Sequence, residues 1–172
     1  DIISELRDEV KQGHYNVTII GGSGKRRMAH DLIQYIDSSI FVVNQFDPNQ
    51  KYRILLAVDD STGTKGAVKF GVRVAQAFKI DVDILTVSKV DRFGDGYKGA
   101  AEKAGKFMRR AGIQYQNIYR VGDPSEIIKK EAGDNHIVIM GASSKNPLMK
   151  FFKGSKPLKV MEDCPCPILI VK

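Results

Sequence analysis

The chain of 172 residues has few of the residue types that build disulfides and metal sites. Its two cysteines, Cys164 and Cys166, stand two positions apart in a strand-like run, where alternate side chains point to opposite faces, so we expect no disulfide between them. Its three histidines, His14, His30 and His136, have no partner at the spacing of a metal-binding motif. The sequence therefore predicts neither a disulfide framework nor a metal centre.

Long apolar segments are also missing. No run of about eighteen apolar residues occurs, so no membrane-spanning helix is predicted. The opening stretch "DIISELRDEVKQ" is too charged for a secretory signal, and nothing indicates an oxidising compartment, so a cytoplasmic location is expected. Because the first residue is not Met, we expect the sequence to be part of a longer polypeptide, whose N-terminal region could attach it to a membrane.

Positive charge is concentrated in the later part of the chain. Residues 1–50 have five Lys or Arg against seven Asp or Glu, whereas residues 51–172 have twenty-two against thirteen. Five lysines lie close together in the sequence: Lys145, Lys150, Lys153, Lys156 and Lys159. Such a cluster is compatible with a phosphate ligand, a nucleic acid, an anionic membrane surface or a solvated helix face.

Short apolar runs alternate with helical patterns from residue 51 onward. Strands are predicted at residues 52–58, 82–87, 113–121, 136–141 and 167–171, with helices between them. This alternation predicts an α/β fold with a doubly wound, parallel, five-stranded sheet. Ligands bind such sheets at the carboxyl ends of the strands, so the loops after Val58, Val87 and Met140 form the candidate site.

The first part of the chain repeats the end of that domain. "VTIIGGSG" at residues 17–24 matches "IVIMGASS" at residues 137–144, and "IFVV" at residues 40–43 matches "ILIV" at residues 168–171. We interpret residues 1–46 as the C-terminal third of a degenerate first domain and residues 47–51 as a linker. Residues 51–172 then form a complete domain, and residues 16–43 a strand–helix–strand unit of the same geometry.

Several motifs of residues 51–172 together resemble the universal stress protein family. They are "VDDS" after the first strand, "VGDPSEII" before the fourth, "CPCPILIV" at the end, and a glycine pattern. In nucleotide-binding members that pattern is Gly, two residues, Gly, nine residues, Gly, then Ser or Thr. Here Gly141, Ser144, Gly154 and Ser155 reproduce the spacing, with Ser144 in place of a glycine. The resemblance implies an adenine nucleotide alpha hydrolase-like fold and a site for ATP or AMP, with or without Mg²⁺.

The resemblance also implies roles for individual residues. Asp59 would accept a hydrogen bond from the ribose or the base, with Ala57 and Val87 on the adenine side. The loop residues would surround the phosphates: Met140, Gly141, Ser144, Gly154, Ser155 and Lys156. Glycine allows close backbone approach, and a Gly-Ser before a helix offers amides, a hydroxyl and the positive end of the helix dipole.

Each of these roles has a plainer alternative. Ser155 could be an ordinary N-cap with Pro157 in the first helical turn, and Asp59 could hold a turn. Because Pro157 has no amide to donate and Ser144 replaces a glycine, we expect weak nucleotide binding. The first copy has no Gly-Ser at that spacing, so it is expected to bind none.

Catalysis is not expected beyond slow ATP hydrolysis. The loop "GASSKN" lacks the second acidic cluster that magnesium-dependent phosphatases require, and no nucleophile–base pair is evident. Nucleic-acid binding is not expected either, because Phe151 and Phe152 are more typical of core anchors than of stacking platforms. Two functions remain: a regulatory, stress-response module that binds an adenine nucleotide, or a ligand-free interaction domain. The second could be a cytoplasmic domain of a cation–chloride cotransporter, amino-acid permease or antiporter.

The apolar closing strands raise the question of assembly. Residues 40–43 and 167–171 are uniformly apolar, and Pro165 and Pro167 mark the latter as an edge strand. Unpaired apolar edges invite another strand. We expect these strands to pair, either in a homodimer or between the two copies.

Overall fold

A computed structural model describes residues 1–21, 26–43, 45–142 and 166–172, with the backbone alone for residues 26–30. The elements in chain order are α1 (Ile2–Gly13), β1 (Val17–Gly21), α2 (Arg26–Tyr35), β2 (Ser39–Val43), β3 (Arg53–Val58), α3 (Gly63–Phe78), β4 (Val82–Ser88), α4 (Asp95–Arg110), β5 (Tyr115–Val121), α5 (Pro124–Glu131), β6 (His136–Gly141) and β7 (Ile168–Val171). The strands expected from residue 51 onward are all present. The helix expected after Gly154 lies outside the described residues.

Local sequence signals set several of the helix ends. Asp123 caps α5, because its carboxylate accepts hydrogen bonds from the amides of Ser125 at 3.0 Å and Glu126 at 3.3 Å. Pro124 takes the first helical position, as the sequence predicts, where no amide hydrogen bond is needed. Gly112, with φ of +70°, follows the end of α4 in the left-handed region that glycine tolerates best.

The strands form one seven-stranded sheet in the order β1-β2-β7-β6-β3-β4-β5. The five strands from β3 to β7 are mutually parallel where they pair, which confirms the predicted parallel layer for residues 51–172. β1 and β2 extend this layer and are parallel to each other. The single antiparallel pairing among the described strands joins β2 to β7.

The two apolar closing strands are therefore not free edges. β2 lies between β1 and β7, and β7 lies between β2 and β6. Pro167 does not mark an edge either, because its carbonyl accepts a hydrogen bond from the amide of Val138 at 2.9 Å. Pairing occurs between the two matched segments of one chain, so a homodimer would have to use a surface other than these strands.

Two matched units meet at the β2–β7 pair; β1, α2 and β2 form the first unit, and β6 with β7 form the second unit. Thr18 pairs with Ile40 in the first unit just as Val138 pairs with Ile168 in the second. Across the antiparallel junction, Phe41 stands opposite Leu169. The two units are thus related by an approximate two-fold axis through this pair. That residues 1–46 derive from a truncated domain stays a prediction.

Helices cover the sheet on both faces. On the α5 face, α1, α2 and α5 pack through Val10, Leu32, Ile36 and Ile128 onto apolar strand residues. On the α3 face, α3 and α4 pack through residues such as Ala67, Val68, Ala75, Ala104 and Met108. The carboxyl ends of the central strands, at which the candidate site was expected, lie between these layers.

Candidate functional site

A cleft of about 450 Å³ lies at the carboxyl ends of β3 and β4. Its apolar wall is formed by Ala57 of β3 and by Leu85 and Val87 of β4, with Pro124 and Ile128 of α5 opposite. Its polar residues are Asp59, Asp60, Ser88, Lys89, Arg92 and Tyr97. An apolar pocket of this size with a few polar groups at one side is typical of small-molecule sites.

Asp59 holds the turn between β3 and α3. Its Oδ1 accepts hydrogen bonds from the Ser61 amide at 3.0 Å, from the Ser61 hydroxyl, and from the Thr64 hydroxyl at 2.7 Å. Among the described residues, none donates to Oδ2, and Asp59 also lines the cleft. The structural role considered for Asp59 is therefore real, and its second carboxylate oxygen remains able to accept a ligand hydrogen bond.

The loop after β4 is fixed by a buried serine. The Ser88 hydroxyl donates to the Arg92 carbonyl at 2.9 Å and accepts from the Val90 amide at 3.3 Å. This arrangement closes a compact turn that includes Lys89. As a result, two cationic side chains, Lys89 and Arg92, lie on a defined loop beside the cleft rather than on a free segment.

Tyr97, at the start of α4, faces two carboxylates across the cleft. Burial, followed by the negative charges of Asp60 and Asp59, raises the pKa of its hydroxyl above the ordinary value of 10.0. The hydroxyl therefore stays protonated at physiological pH and can donate a hydrogen bond. Together with Asp59 and Asp60, it gives the cleft both donors and acceptors close to the apolar wall.

The residues expected at the end of β6 have different surroundings from those of Ala57, Asp59 and Val87. Met140 is 2% exposed and packs in the core of the α5 face, so only its backbone could reach a ligand. A Cβ on Gly141 would lie 2.3 Å from the carbonyl carbon of Gly63 at the start of α3. Gly141 is thus required for the close packing of β6 against α3, whether or not it also approaches phosphate.

The remaining expected phosphate-binding residues, Ser144, Gly154, Ser155 and Lys156, lie outside the described residues. Within the described ranges, no group of three or more His, Cys, Asp or Glu side chains is arranged to hold a metal ion. Of the candidate site, the structure therefore describes the cleft and the end of β6.

Sequence reasoning missed several residues at the cleft. Lys89, Arg92 and Tyr97 were not named from the sequence. Asp60, which follows the named Asp59, is exposed and also lines the cleft. All of them follow a strand at its carboxyl end, in "VDDS" and "VSKVDRFGDGY". Position after a strand was therefore the available signal, whereas the contact of α5 with the cleft could be found only from the fold.

A second polar cluster lies at the opposite, amino end of the strands. Asp83, 4% exposed, accepts hydrogen bonds from Arg53 Nη2 at 2.6 Å, Gln116 Nε2 at 2.8 Å and His136 Nε2 at 3.1 Å. Burial alone would raise the pKa of Asp83, but the hydrogen bonds from these three side chains outweigh it and hold the pKa below its ordinary value. The cluster ties β3, β4, β5 and β6 together far from the cleft.

An open, mostly parallel sheet with a cleft at the carboxyl ends of its strands defines an α/β domain of the doubly wound class. The model of the universal stress protein family matches residues 52–172, which is most of the chain. The chain belongs to this family. No curated protein matches the sequence. In the described part of the chain, no helix is long and apolar enough to cross a bilayer.

Solved structures show the same fold at low sequence identity. The whole chain aligns with a universal stress protein from Archaeoglobus fulgidus DSM 4304 at 17% identity and a TM-score of 0.74, and it spans 65% of that protein. A universal stress protein in complex with cAMP aligns with 72% of the chain at 19% identity and a TM-score of 0.54, over 98% of its own length. A universal stress protein from Archaeoglobus fulgidus in complex with dAMP aligns with 70% of the chain at 19% identity and a TM-score of 0.50, over 98% of its own length.

Proposed function

We propose that this chain is a non-catalytic regulatory module that binds an adenine nucleotide weakly in the cleft between β3, β4 and α5. The observation that supports the proposal is that Ala57, Asp59 and Val87, all named from the sequence, line one cleft of suitable size. Adenine nucleotides in two structural neighbours of the same family give independent support.

The chemistry of the cleft suits a nucleoside. Ala57, Leu85 and Val87 offer a flat apolar wall against which a base can be desolvated. Asp59 Oδ2 offers an acceptor for a ribose hydroxyl, and a hydrogen bond to a charged acceptor contributes roughly 1.5–3 kcal/mol. Lys89 and Arg92 line the cleft together with Asp59 and Asp60, and their positive charges could pair with a phosphate group.

In the proposed regulatory role, nucleotide binding is coupled to the stability and conformation of the protein, and the nucleotide itself is not changed. A ligand that binds only the folded protein stabilises it and can shift the population of a bound conformation. The proposal includes no chemistry on the nucleotide, and Asp59 Oδ1 is already engaged by the Ser61 and Thr64 hydroxyls of the turn before α3. A cytoplasmic domain of a membrane transporter is the alternative to this proposal: it would be a ligand-free interaction domain and would need no nucleotide.

The proposal is tested by calorimetric titration of ATP, AMP and cAMP, with and without Mg²⁺, into the wild type and into Val87→Phe. The larger side chain would fill the cleft, so binding should weaken at least tenfold, which is about 1.4 kcal/mol. Val121→Phe is the matched control, because Val121 is exposed at the end of β5 and does not line the cleft. Asp59→Ala is a poor test, since it would also break the turn before α3.

Weak binding is the expected result for the wild type. Loss of one charge-assisted hydrogen bond at Ser144 or Pro157 would lower affinity by roughly ten- to a hundredfold, leaving binding measurable at millimolar nucleotide. Gly154→Val should then remove binding by blocking the phosphates. If neither the wild type nor Gly154→Val binds at millimolar nucleotide, or if both bind equally, the nucleotide proposal fails and the ligand-free interaction domain takes its place.

A further inference from the structure

Positive charge is unevenly divided between the two helical layers of the sheet. On the α3 face, α3 has three Lys or Arg and no Asp or Glu, and α4 has five against two. On the α5 face, α1, α2 and α5 have two Lys or Arg each, against three, one and two Asp or Glu. The helices of the α5 face are therefore balanced in charge, whereas those of the α3 face have an excess of positive charge.

Most of these cations form two rows on the outer surface of α3 and α4. In α3 they are four residues apart, which is about 6 Å along the helix, and in α4 they are three and four residues apart, so each row follows one side of its helix. All six side chains are exposed, and the opposite side of each helix is buried in the core. We call these six residues the basic surface: Lys65, Lys69, Arg73, Lys103, Lys106 and Arg110.

The two rows border one groove. It has a volume of about 540 Å³ and lies between α3 and α4, with Lys65 on one side and Lys103 on the other. At the far ends of the helices, the Gln76 side-chain amide donates to the carbonyl of Ala111, directly after α4, at 3.5 Å. Phe107, which also lines the groove, is 40% exposed between the rows. The basic surface therefore extends across both helices and includes an aromatic ring.

The basic surface has no ionic partner in the described part of the chain. None of its six side chains forms an ion pair or a hydrogen bond with another described residue, whereas Arg53, Arg120 and Lys129 are all paired with carboxylates. Like charges four residues apart on a helix repel each other, so the row on α3 weakens the helix rather than supporting it. The arrangement is explained if an anionic partner binds there.

The shape of the basic surface distinguishes between anionic partners. Two helices side by side are roughly 20 Å wide, whereas the major groove of DNA is about 12 Å wide, so this layer cannot enter it. Proteins that bind single strands stack successive bases on several aromatic rings, and among the described residues that line the groove Phe107 is the one aromatic. A bilayer with anionic lipids is a broad surface that both rows can contact together, and it favours an aromatic ring among basic residues.

We propose that the basic surface binds the surface of a bilayer that contains anionic lipids. Its Lys and Arg side chains would contact the phosphate and carboxylate groups of the lipids, and Phe107 would lie among the headgroups. Three carboxylates, those of Asp59, Asp60 and Asp95, line the amino end of the groove, so this end would be turned away from the bilayer. The cleft proposed for the nucleotide shares Asp59 and Asp60 with the groove and would stay open to solvent. The proposal does not depend on nucleotide binding.

Binding to vesicles tests the proposal. The wild type is sedimented with vesicles of phosphatidylcholine that contain about 30% phosphatidylserine, and with vesicles of phosphatidylcholine alone, at about 0.15 M salt. We expect binding to the first kind of vesicle and not to the second. Binding should also weaken as the salt concentration rises, because the cations of the basic surface are exposed.

Lys69→Glu/Lys106→Glu is the decisive variant, because it reverses one charge in each row. Its partition coefficient should be at least about twentyfold below that of the wild type, since each basic residue near an anionic surface contributes about fivefold. Lys11→Glu/Lys130→Glu is the matched control, which makes the same change in charge at exposed positions of α1 and α5 on the other side of the sheet. It should bind within about threefold of the wild type, because distant charges are screened at this salt concentration.

The outcomes distinguish a bilayer from a nucleic acid. Failure of the wild type to bind the anionic vesicles, or equal binding by the two double variants, would overturn the proposal. Tighter binding to a DNA or RNA duplex than to vesicles, lost in Lys69→Glu/Lys106→Glu, would identify nucleic acid as the partner and would also overturn it. If that variant does not fold, as judged by its unfolding midpoint, Lys69→Gln/Lys106→Gln is compared with Lys11→Gln/Lys130→Gln in the same way.

Discussion

Ile139 and Ile19 occupy matched positions in two units with the same strand register, yet one side chain is fully buried and the other is 67% exposed. The same contrast holds for the glycines that follow: Gly141 is packed against the backbone of Gly63, and Gly21 faces open space. The two pairs of strands thus have the same register. Burial depends instead on which helix covers the pair, and α3 covers the second unit alone.

The largest effect is expected from the two isoleucines. Ile139→Ala should lower the free energy of unfolding by about 2–5 kcal/mol, because it leaves a cavity in a closely packed core. Ile19→Ala should change it by less than about 0.5 kcal/mol, since most of that side chain is already in water. Urea unfolding of both variants measures the difference. A large loss for Ile19→Ala would show that the first unit is covered in the isolated chain.

The two glycines should give a smaller difference. Gly141→Ala places a methyl group 2.3 Å from the carbonyl carbon of Gly63, so it should cost about 1–3 kcal/mol through displacement of β6 or α3. In a chain of this length that loss lowers the unfolding midpoint by roughly 2–4 °C per kcal/mol. Gly21→Ala should be neutral or slightly stabilising, because it restricts the unfolded chain. Equal midpoints for the two variants would mean that the packing of α3 at Gly141 adapts without cost.

The third difference depends on pH. His136, which helps to hold Asp83 ionised, corresponds to Asn16 in the first unit, so the contact that His136 makes with Asp83 has no counterpart at that position. The pKa of Asp83 is lower in the folded protein than in the unfolded chain. Its contribution to stability is therefore fully present above the unfolded pKa and is lost as pH falls through the folded pKa.

Urea unfolding of Asp83→Asn between pH 7 and pH 3 measures this contribution. The variant should be less stable at pH 7 and should lose less stability on acidification than the wild type. Asp91→Asn, at an exposed position in the loop after β4, serves as the control and should follow the wild-type profile. If Asp83→Asn also follows the wild-type profile, protonation of Asp83 does not contribute to the pH dependence of stability.

Much of the fold could be predicted from the sequence because its signals are local. Runs such as residues 52–58 and 136–141 are short and apolar, and Pro124 and Gly112 mark helix ends by backbone chemistry. The sequence did not decide whether residues 40–43 and 167–171 pair within one chain or between two chains. An apolar strand pattern does not indicate which strand will be its partner. Packing of β7 against β2 was required to decide it.

The candidate site was predictable in part for the same reason. The loops after Val58 and Val87 follow from their places at strand ends, and the roles of Ala57, Asp59 and Val87 were implied by the resemblance to the family. The cleft brings these three residues together. The packing requirement at Gly141 could not be foreseen, because it depends on a contact with Gly63, seventy-eight positions earlier in the chain. Asp83 contacts Arg53, thirty positions earlier in the chain, and His136, fifty-three positions later, and these residues form no motif in the sequence.

The antiparallel pair of Phe41 and Leu169 has a consequence for how this protein can change over time. In a symmetric dimer of identical chains, the residue on the axis faces itself, so any substitution there is made twice and must fit its own copy. Here the two sides of the axis are encoded separately, and a phenylalanine already stands opposite a leucine. Each side can therefore be substituted alone and compensated by the other. Because both sides belong to one chain, their association does not weaken on dilution, and the junction can diverge without the loss of assembly that a dimer would risk.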